Sequence, residues 1–216
     1  MSWRTKPTDR FILRFIKTRL SAPVSRALVR MRPGVSPNLI TLANALLGVT
    51  AGVLIGFGRP LAGAAVAAAA QVLDGVDGQV ARITGRVTDM GAFYDSVLDR
   101  YVDFSMLFGL LVLQLNVLAG IEAPAWAAPV LMVVAAAACA GASQVSYTTA
   151  RAKSLGIDYR RPELVGKGTR ASIEILAAAA QPLWPLAPAA GLLLLAVVVN
   201  AAVLVAVLGA KEGKEK

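Results

Sequence analysis

The chain has 216 residues, of which 56% are hydrophobic and only 16% charged, and its mean hydropathy is +0.63. Soluble domains carry roughly 25% charged residues, so this composition excludes a soluble domain, a disordered chain and a disulfide scaffold. The net charge of +9 does not indicate nucleic acid, because the basic residues cluster at the ends and in one loop between apolar runs. The composition predicts an all-α integral membrane protein without a nucleic-acid partner.

Histidine is absent, and the single cysteine, Cys139, lies inside an alanine-rich run. These two counts exclude catalytic triads that depend on histidine, zinc sites with histidine or cysteine ligands, and disulfides within the chain. Carboxylates are therefore the only strong metal ligands that the chain offers.

The first predicted element is a basic amphipathic segment at the N-terminus. Between residues 11 and 29, apolar side chains recur at about helical spacing among arginines and lysines. This pattern predicts a helix that lies on the inner membrane surface, packs on the cytoplasmic end of the helix bundle, or does both. We assign residues 1–35 to this amphipathic helix.

Six apolar stretches follow, and they suit helices that cross the roughly 30 Å of hydrocarbon in a bilayer. The fifth stretch is short and interrupted. All six belong to one predicted membrane domain, residues 36–210, which is followed by a cytoplasmic tail of residues 211–216. The predicted spans run from about Leu39 to Phe57, Leu61 to Val80, Met90 to Leu118, Pro124 to Tyr147, Ala171 to Leu186 and Ala189 to Leu208.

Lysine and arginine in the short connections indicate the orientation. If the N-terminus is cytoplasmic, nine basic residues before Ser36 lie on the inner side, and the outer loops hold Arg59 alone. The distribution predicts a multi-pass cell-membrane protein that contacts membrane lipids, with both termini and the site described next on the cytoplasmic side.

Acidic residues are concentrated where the second predicted span ends and the third begins. Asp74 and Asp77 are three residues apart, and Asp95 and Asp99 are four apart on the next helix. Each pair shares one helix face, and a short turn joins the two helices. We therefore expect the four carboxylates to meet near the inner membrane surface.

Four carboxylates cannot all stay ionised side by side without a positive partner. In a chain without histidine, the expected partners are hard divalent cations bound by oxygen, Mg²⁺ or Mn²⁺. Two such ions can clamp a pyrophosphate during phosphoryl transfer, and Arg82 is placed to hold phosphate oxygens. The small residues that would let a phosphate or a base approach the backbone are Gly75, Gly78, Ala81 and Gly91.

A single aspartate in a span would more readily be a proton relay or a hydrogen bond between helices, but four at these spacings favour a metal–phosphate site. Asp103 lies one turn beyond Asp99. It is either a fifth site residue or the ion-pair partner of Arg100, and spacing alone leaves both interpretations open.

A second basic cluster lies between the fourth and fifth predicted spans. Its place at the cytoplasmic mouth favours an anionic acceptor, because arginine forks suit a phosphate monoester. The alternative is that these residues only set the topology and contact lipid headgroups. The residues that we assign to acceptor binding are Arg151, Lys167 and Arg170.

The acidic region resembles the signature of the CDP-alcohol phosphotransferases, D-x2-D-G-x2-A-R-x8-G-x3-D-x3-D. All eight fixed positions are present within 26 residues, from Asp74 to Asp99. The resemblance implies six transmembrane helices plus an N-terminal amphipathic surface helix, a cytoplasmic site and two divalent cations. It also implies that Asp74, Asp77 and Asp95 hold the metals, while Asp99 is both a metal neighbour and the general base.

A finer resemblance is to the branch of di-myo-inositol phosphate phosphate synthases and phosphatidylinositol phosphate synthases. It is carried by the segments 36–41, 146–149 and 166–170. It implies a CDP-linked donor (CDP-diacylglycerol or CDP-inositol), a polar alcohol acceptor such as an inositol phosphate, release of CMP, and a homodimer. The expected donor-binding residues are Asn38, Thr41, Gly78, Ala81, Arg82 and Gly91.

Two other functions are compatible with acidic residues at a membrane. A UbiA-like prenyltransferase also uses aspartate-rich helices and Mg²⁺, but such enzymes have more spans and two aspartate motifs far apart in sequence. A cation or proton transporter predicts acidic residues near the bilayer midplane and, often, internal repeats. The acids of this chain lie at one membrane face, which favours phosphotransfer.

Overall fold

The structure, a computed structural model, describes residues 15–159 and 166–212. These residues form helices and one pair of two-residue antiparallel strands, β1 with β2. In chain order the elements are a π-helical turn Ile16–Ser21, α1 Ala22–Met31, α2 Pro37–Gly56, α3 Pro60–Leu73, α4 Val76–Ile83, α5 Asp89–Ala119, α6 Ala127–Leu155, β1 Ile157–Asp158, α7 Lys167–Ala180, α8 Ala187–Leu208 and β2 Lys211–Glu212.

The π-helical turn runs directly into α1, and together they form what we call the N-terminal helix. It covers the second half of the predicted amphipathic segment. Residues 1–14 of that segment lie outside the described residues. The placement of this helix on a membrane surface remains a prediction.

Four helices in the described part of the chain are long and apolar enough to cross a membrane: α2, α5, α6 and α8. They coincide with the first, third, fourth and sixth predicted spans. Many of their leucine, valine and phenylalanine side chains are exposed, as expected for helices that face lipid. These four helices therefore agree with the predicted all-α membrane architecture.

The second and fifth predicted spans differ from expectation. The second was expected to continue to Val80, but α3 ends at Leu73 and a new helix begins at Val76. The fifth was expected to reach Leu186, but α7 ends at Ala180, two residues before a proline. Each of α3 and α7 has 14 residues and is about 21 Å long, so neither crosses 30 Å of hydrocarbon alone.

Local sequence explains several helix boundaries near the site. Proline occupies the first turn of α2 and of α3, where no helical N–H donor is lost. At the start of α5, Thr88 Oγ1 accepts a hydrogen bond from the Gly91 amide at 3.0 Å. Gly85 has φ +68°, which glycine adopts without strain, and it lies in the short turn between α4 and α5.

The helix α5 lies at the centre of the bundle and packs against α2, α6, α7 and α8. Its contact with α2 is a backbone contact. A Cβ atom at Gly109 would collide with the carbonyl group of Gly52, and one at Gly52 would collide with that of Ser105. Such close approach of small residues is the usual way in which helices associate in lipid. It fixes the relation between the N-terminal ends of α2 and α5, where the site lies.

Candidate active site

An open cavity of about 1040 Å³ lies where the ends of α2, α4, α5, α6 and α7 meet. All but one of the site residues predicted from the sequence line it. These residues are Asn38, Thr41, Asp74, Asp77, Gly78, Ala81, Arg82, Gly91, Asp95, Asp99, Lys167 and Arg170.

Three carboxylates form a compact group in this cavity. Asp74 lies in the break between α3 and α4, and Asp95 and Asp99 lie one turn apart on α5. One oxygen from each of the three residues lies within 4.8 Å of the other two. Three carboxylate oxygens at this separation fit a hard divalent cation such as Mg²⁺ or Mn²⁺, which binds oxygen ligands. The donor set therefore agrees with the metal chemistry that the sequence predicts.

The ammonium group of Lys167 is shared by two of these carboxylates. It donates hydrogen bonds to Asp74 and to Asp99 and forms an ion pair with each. The two carboxylates place opposite charge beside the ammonium group, which stabilises its charged form. The residue predicted to bind the acceptor is thus a positive partner of the carboxylate group.

Asp77 is held separately from the three-carboxylate group. Its Oδ2 accepts a hydrogen bond from Thr41 Oγ1 at 2.7 Å, and its Oδ1 accepts one from the Gly78 amide. The sequence predicted all four carboxylates together, on the assumption that one helix continues through Asp74 and Asp77. Asp77 lines the same cavity as the other three carboxylates. Thr41, predicted to bind the donor, orients a carboxylate.

Two glycines of the site lie against polar side chains. A Cβ atom at Gly78 would be 3.4 Å from Arg82 Nη1, and one at Gly91 would be 3.1 Å from Asn38 Oδ1. The guanidinium group of Arg82 therefore lies over bare backbone at the cavity wall. Binding of an anionic group beside this cation remains a prediction.

The two arginines assigned to the acceptor have different positions. Arg170 is 3% exposed and donates to Asp103 Oδ2 at 2.7 Å. Arg100 Nη2 lies 3.0 Å from the same oxygen, so Asp103 is an ion-pair partner of Arg100, one of the two alternatives. Arg151 is exposed and does not line the cavity.

The structure adds cavity residues that the sequence analysis did not assign. One is Lys17 of the N-terminal helix. Four more lie on one face of α6 at helical spacings of three and four, within a helix that is otherwise rich in alanine. That periodicity is a signal which could have found them, and the residues are Ser143, Ser146, Thr149 and Lys153.

Known proteins have sequences that are related to this chain. The chain is 34% identical over 178 residues to the archaetidylinositol phosphate synthase of Aeropyrum pernix, and the match covers 82% of each chain. It is 37% identical over 143 residues to the bifunctional IPC transferase and DIPP synthase of Thermococcus kodakarensis. That match covers 66% of this chain but only 30% of the relative, so the chain spans less than a third of the bifunctional protein's length.

Solved structures share the fold. The phosphatidylinositol phosphate synthase of Mycobacterium tuberculosis with CDP-DAG bound superposes with a TM-score of 0.72 at 24% identity. The alignment covers 92% of this chain and 98% of that protein. A second structure of the same protein, in complex with manganese and citrate, gives a TM-score of 0.71 at 24% identity. It covers 91% of this chain and 93% of that one.

The family whose profile matches is described as CDP-alcohol phosphatidyltransferase, and the match extends over residues 34–209. It includes the acidic signature, all of the helices from α2 to α8, and every residue that lines the cavity except Lys17. The resemblance seen in the sequence is confirmed. The chain belongs to the CDP-alcohol phosphatidyltransferase family.

Proposed function

We propose that this chain transfers a substituted phosphate group from a CDP-linked donor to the hydroxyl group of a polar alcohol, with release of CMP. The observation that carries the proposal is the group of Asp74, Asp95 and Asp99 in a cavity lined by all eight signature positions. Membership of the family supports this function over a UbiA-like prenyltransferase or a cation or proton transporter.

The proposed cofactors are two divalent cations, Mg²⁺ or Mn²⁺. Asp74, Asp95 and Asp99 would hold them, together with Asp77, whose orientation depends on Thr41. When bound, such ions supply positive charge that stabilises the phosphoryl oxygens. The manganese in the structural neighbour supports this choice of metal.

The donor's phosphates are expected to contact Arg82, since a guanidinium group donates paired hydrogen bonds to phosphate oxygens. Gly78 and Ala81 carry no large side chain, so the cytidine can approach the backbone of α4. Asn38, on α2, would close the other side of this donor subsite, because its side chain lies against Gly91.

Asp99 is the proposed general base. It accepts the proton of the acceptor hydroxyl as that oxygen forms its bond to the β-phosphorus of the donor. The bond from this phosphorus to the oxygen of CMP breaks, and CMP leaves. Asp99 lies in the cavity beside Lys167, which suits a residue that contacts the acceptor.

The acceptor that we favour is an inositol phosphate. The name of the Aeropyrum pernix relative supports it, and so does the combination of lysines with a row of hydroxyl groups on α6. Lysines suit the phosphate, and hydroxyl groups suit a polyol. The donor that we favour is lipid-linked, as in the structural neighbour, with CDP-inositol as the alternative.

We also propose six membrane crossings, in which α3 with α4, and α7 with the turn of residues 181–186, add two crossings to the four long helices. The termini and the cavity would lie on the cytoplasmic side. The distribution of basic residues supports this orientation. A homodimer is the expected assembly, and the mass of the detergent-solubilised protein would test it.

Release of CMP is the direct test. The purified chain would receive CDP-diacylglycerol or CDP-inositol, each with inositol phosphate, inositol, glycerol phosphate or serine, in Mg²⁺ or in EDTA. We expect CMP only with a divalent cation and only with a phosphorylated polyol. Cation-independent CMP release, or no release with any of these pairs, would contradict the proposal.

A further inference from the structure

Gln79 occupies one of the variable positions inside the acidic signature, yet its side chain is fully buried, with 0% exposure. Its amide oxygen accepts a hydrogen bond from Ser25 Oγ at 2.7 Å. Its amide nitrogen donates to the carbonyl oxygen of Lys17 at 2.9 Å. These partners are about two turns apart on the N-terminal helix, so one side chain ties α4 to that helix at two points.

The same helix also holds the end of α3. Ser21 Oγ donates to the carbonyl oxygen of Val72 at 2.7 Å, in the last turn of α3, where helical donors run out. A Cβ atom at Gly75 would lie 2.7 Å from Ser21 Oγ and 3.0 Å from Lys17 Cγ. The N-terminal helix therefore packs directly on the break between α3 and α4.

We call the buried group of Ser21, Ser25 and Gln79 the polar latch. Apolar contact between the elements already exists, because Val76 and Val80 are buried against side chains of the N-terminal helix. The latch adds directional hydrogen bonds, which depend on the relative orientation of the helices. Its hydrogen bonds join specific atoms of the N-terminal helix to α3 and α4, and a buried polar network of this kind favours one arrangement of the elements that it joins.

We propose that the polar latch positions Asp74 and Asp77 for cation binding. The N-terminal helix thereby maintains the geometry of the active site. Asp74 directly follows the α3 turn that Ser21 holds, and Asp77 lies two residues before Gln79. None of the latch hydrogen bonds described above involves Asp74 or Asp77. The latch residues are therefore positioning residues. This inference rests on the proposed function, since it concerns the same cation site.

The test compares two buried glutamines. Gln79→Met removes the latch, while Gln114→Met makes the same change on α5, where Gln114 is also 0% exposed and accepts a hydrogen bond from the Ala189 amide. Manganese affinity is measured by electron paramagnetic resonance of free Mn²⁺ with the full chain in detergent. The unfolding temperature in EDTA, kcat and KM are measured in parallel.

We expect Gln79→Met to weaken Mn²⁺ binding by about 10-fold, the usual cost of losing a residue that supports metal ligands. We expect kcat to fall by a similar factor with little change in acceptor KM. Gln114→Met should change the unfolding temperature alone. Equal losses of Mn²⁺ affinity in both variants would overturn the proposal, because the effect would then be one of general stability.

Ser25→Ala provides a second, smaller change if Gln79→Met does not fold. It should weaken Mn²⁺ binding in the same direction, and the double variant should lose no more than Gln79→Met alone, because both changes break one network. Wild-type Mn²⁺ affinity in Ser25→Ala would refute the latch while leaving the proposed function intact. Failure of the unaltered chain to bind Mn²⁺ would overturn both.

Discussion

The ammonium group of Lys167 donates a hydrogen bond to the carboxylate of Asp99, 68 residues earlier in the chain. Asp74 accepts from the same ammonium group. A divalent cation at these carboxylates therefore has to displace a positive charge that belongs to the protein. The displaced amine would be released into the cavity where we propose that an anionic acceptor binds.

We predict that Lys167→Met binds Mn²⁺ at least about 10-fold more tightly, since unit charges about 4 Å apart near a protein surface interact by about 4 kcal/mol. The KM of a phosphorylated acceptor should rise in the same variant. Titration with Mn²⁺ followed by electron paramagnetic resonance measures the affinity. The matched control is Lys153→Met, which removes the same charge from an exposed position on the cavity. Unchanged or weaker Mn²⁺ binding by Lys167→Met would contradict the expectation that Lys167 and the cation compete for the carboxylates.

Asp95→Asn should abolish the cation-dependent binding of a CDP-linked donor, because it removes one of three carboxylates whose oxygens lie together. EDTA should have the same effect on the unaltered chain. Isothermal titration calorimetry with the donor measures both. Asp89→Asn, at an exposed position in the first turn of the same helix, is the control and should bind normally. Donor affinity that survives in EDTA would argue against a metal site.

Thr41→Val keeps the shape of the side chain but removes the hydrogen bond to Asp77. We expect Mn²⁺ and donor affinity to fall by about 10-fold, as for other groups that orient metal ligands. Thr41→Ser should retain both affinities. Thr50→Val, on the exposed side of α2, makes the same chemical change away from the cavity and should have no effect. If Thr41→Val binds as the wild type does, Asp77 does not depend on this contact.

Asp99→Asn separates the two roles that the sequence implies for this residue. As a general base, its loss should lower kcat by about 10²-fold or more while much of the donor binding remains. As a metal ligand alone, donor binding and turnover would fall together. Calorimetry with the donor, run beside steady-state rates on the same variant, distinguishes the two, and equal losses would refute the base assignment.

Arg170→Met should destabilise the protein by about 3–5 kcal/mol, because it leaves Asp103 buried with one of its two arginine partners missing. Changing Asp103 to Leu in the same chain should restore part of that loss. Arg151→Met, at an exposed position, should stay within about 0.5 kcal/mol of the wild type. Denaturant unfolding in detergent measures these differences. A stable Arg170→Met variant with a raised acceptor KM would instead support the original acceptor assignment.

Much of the site could be predicted from the sequence because the signature residues are close together in the chain. The turn between α4 and α5 is short, so Asp74, Asp95 and Asp99 come together with few possible arrangements. The four long spans were predictable for a similar reason, since each is a continuous apolar stretch of the local sequence.

The helix break at Asp74 and Gly75 was not predictable in this way. Gly75 packs there against Ser21, more than 50 residues earlier, and the local sequence does not show this contact. The partner of Asp99 was missed because Lys167 lies on another helix and looked like one member of a basic loop. Gln79 was missed because nothing in the sequence shows that this glutamine is buried.

The backbone contact between Gly52 and Gly109 can act as a pivot between α2 and α5. Asn38 lies 14 residues from Gly52 along α2, a lever arm of about 21 Å. A change of about 5° in the crossing angle at that pivot would move Asn38 by about 2 Å relative to α5. Displacements of about 1 Å can cost 10²-fold in rate, so we expect a methyl group added at either glycine to lower kcat, although neither glycine lines the cavity.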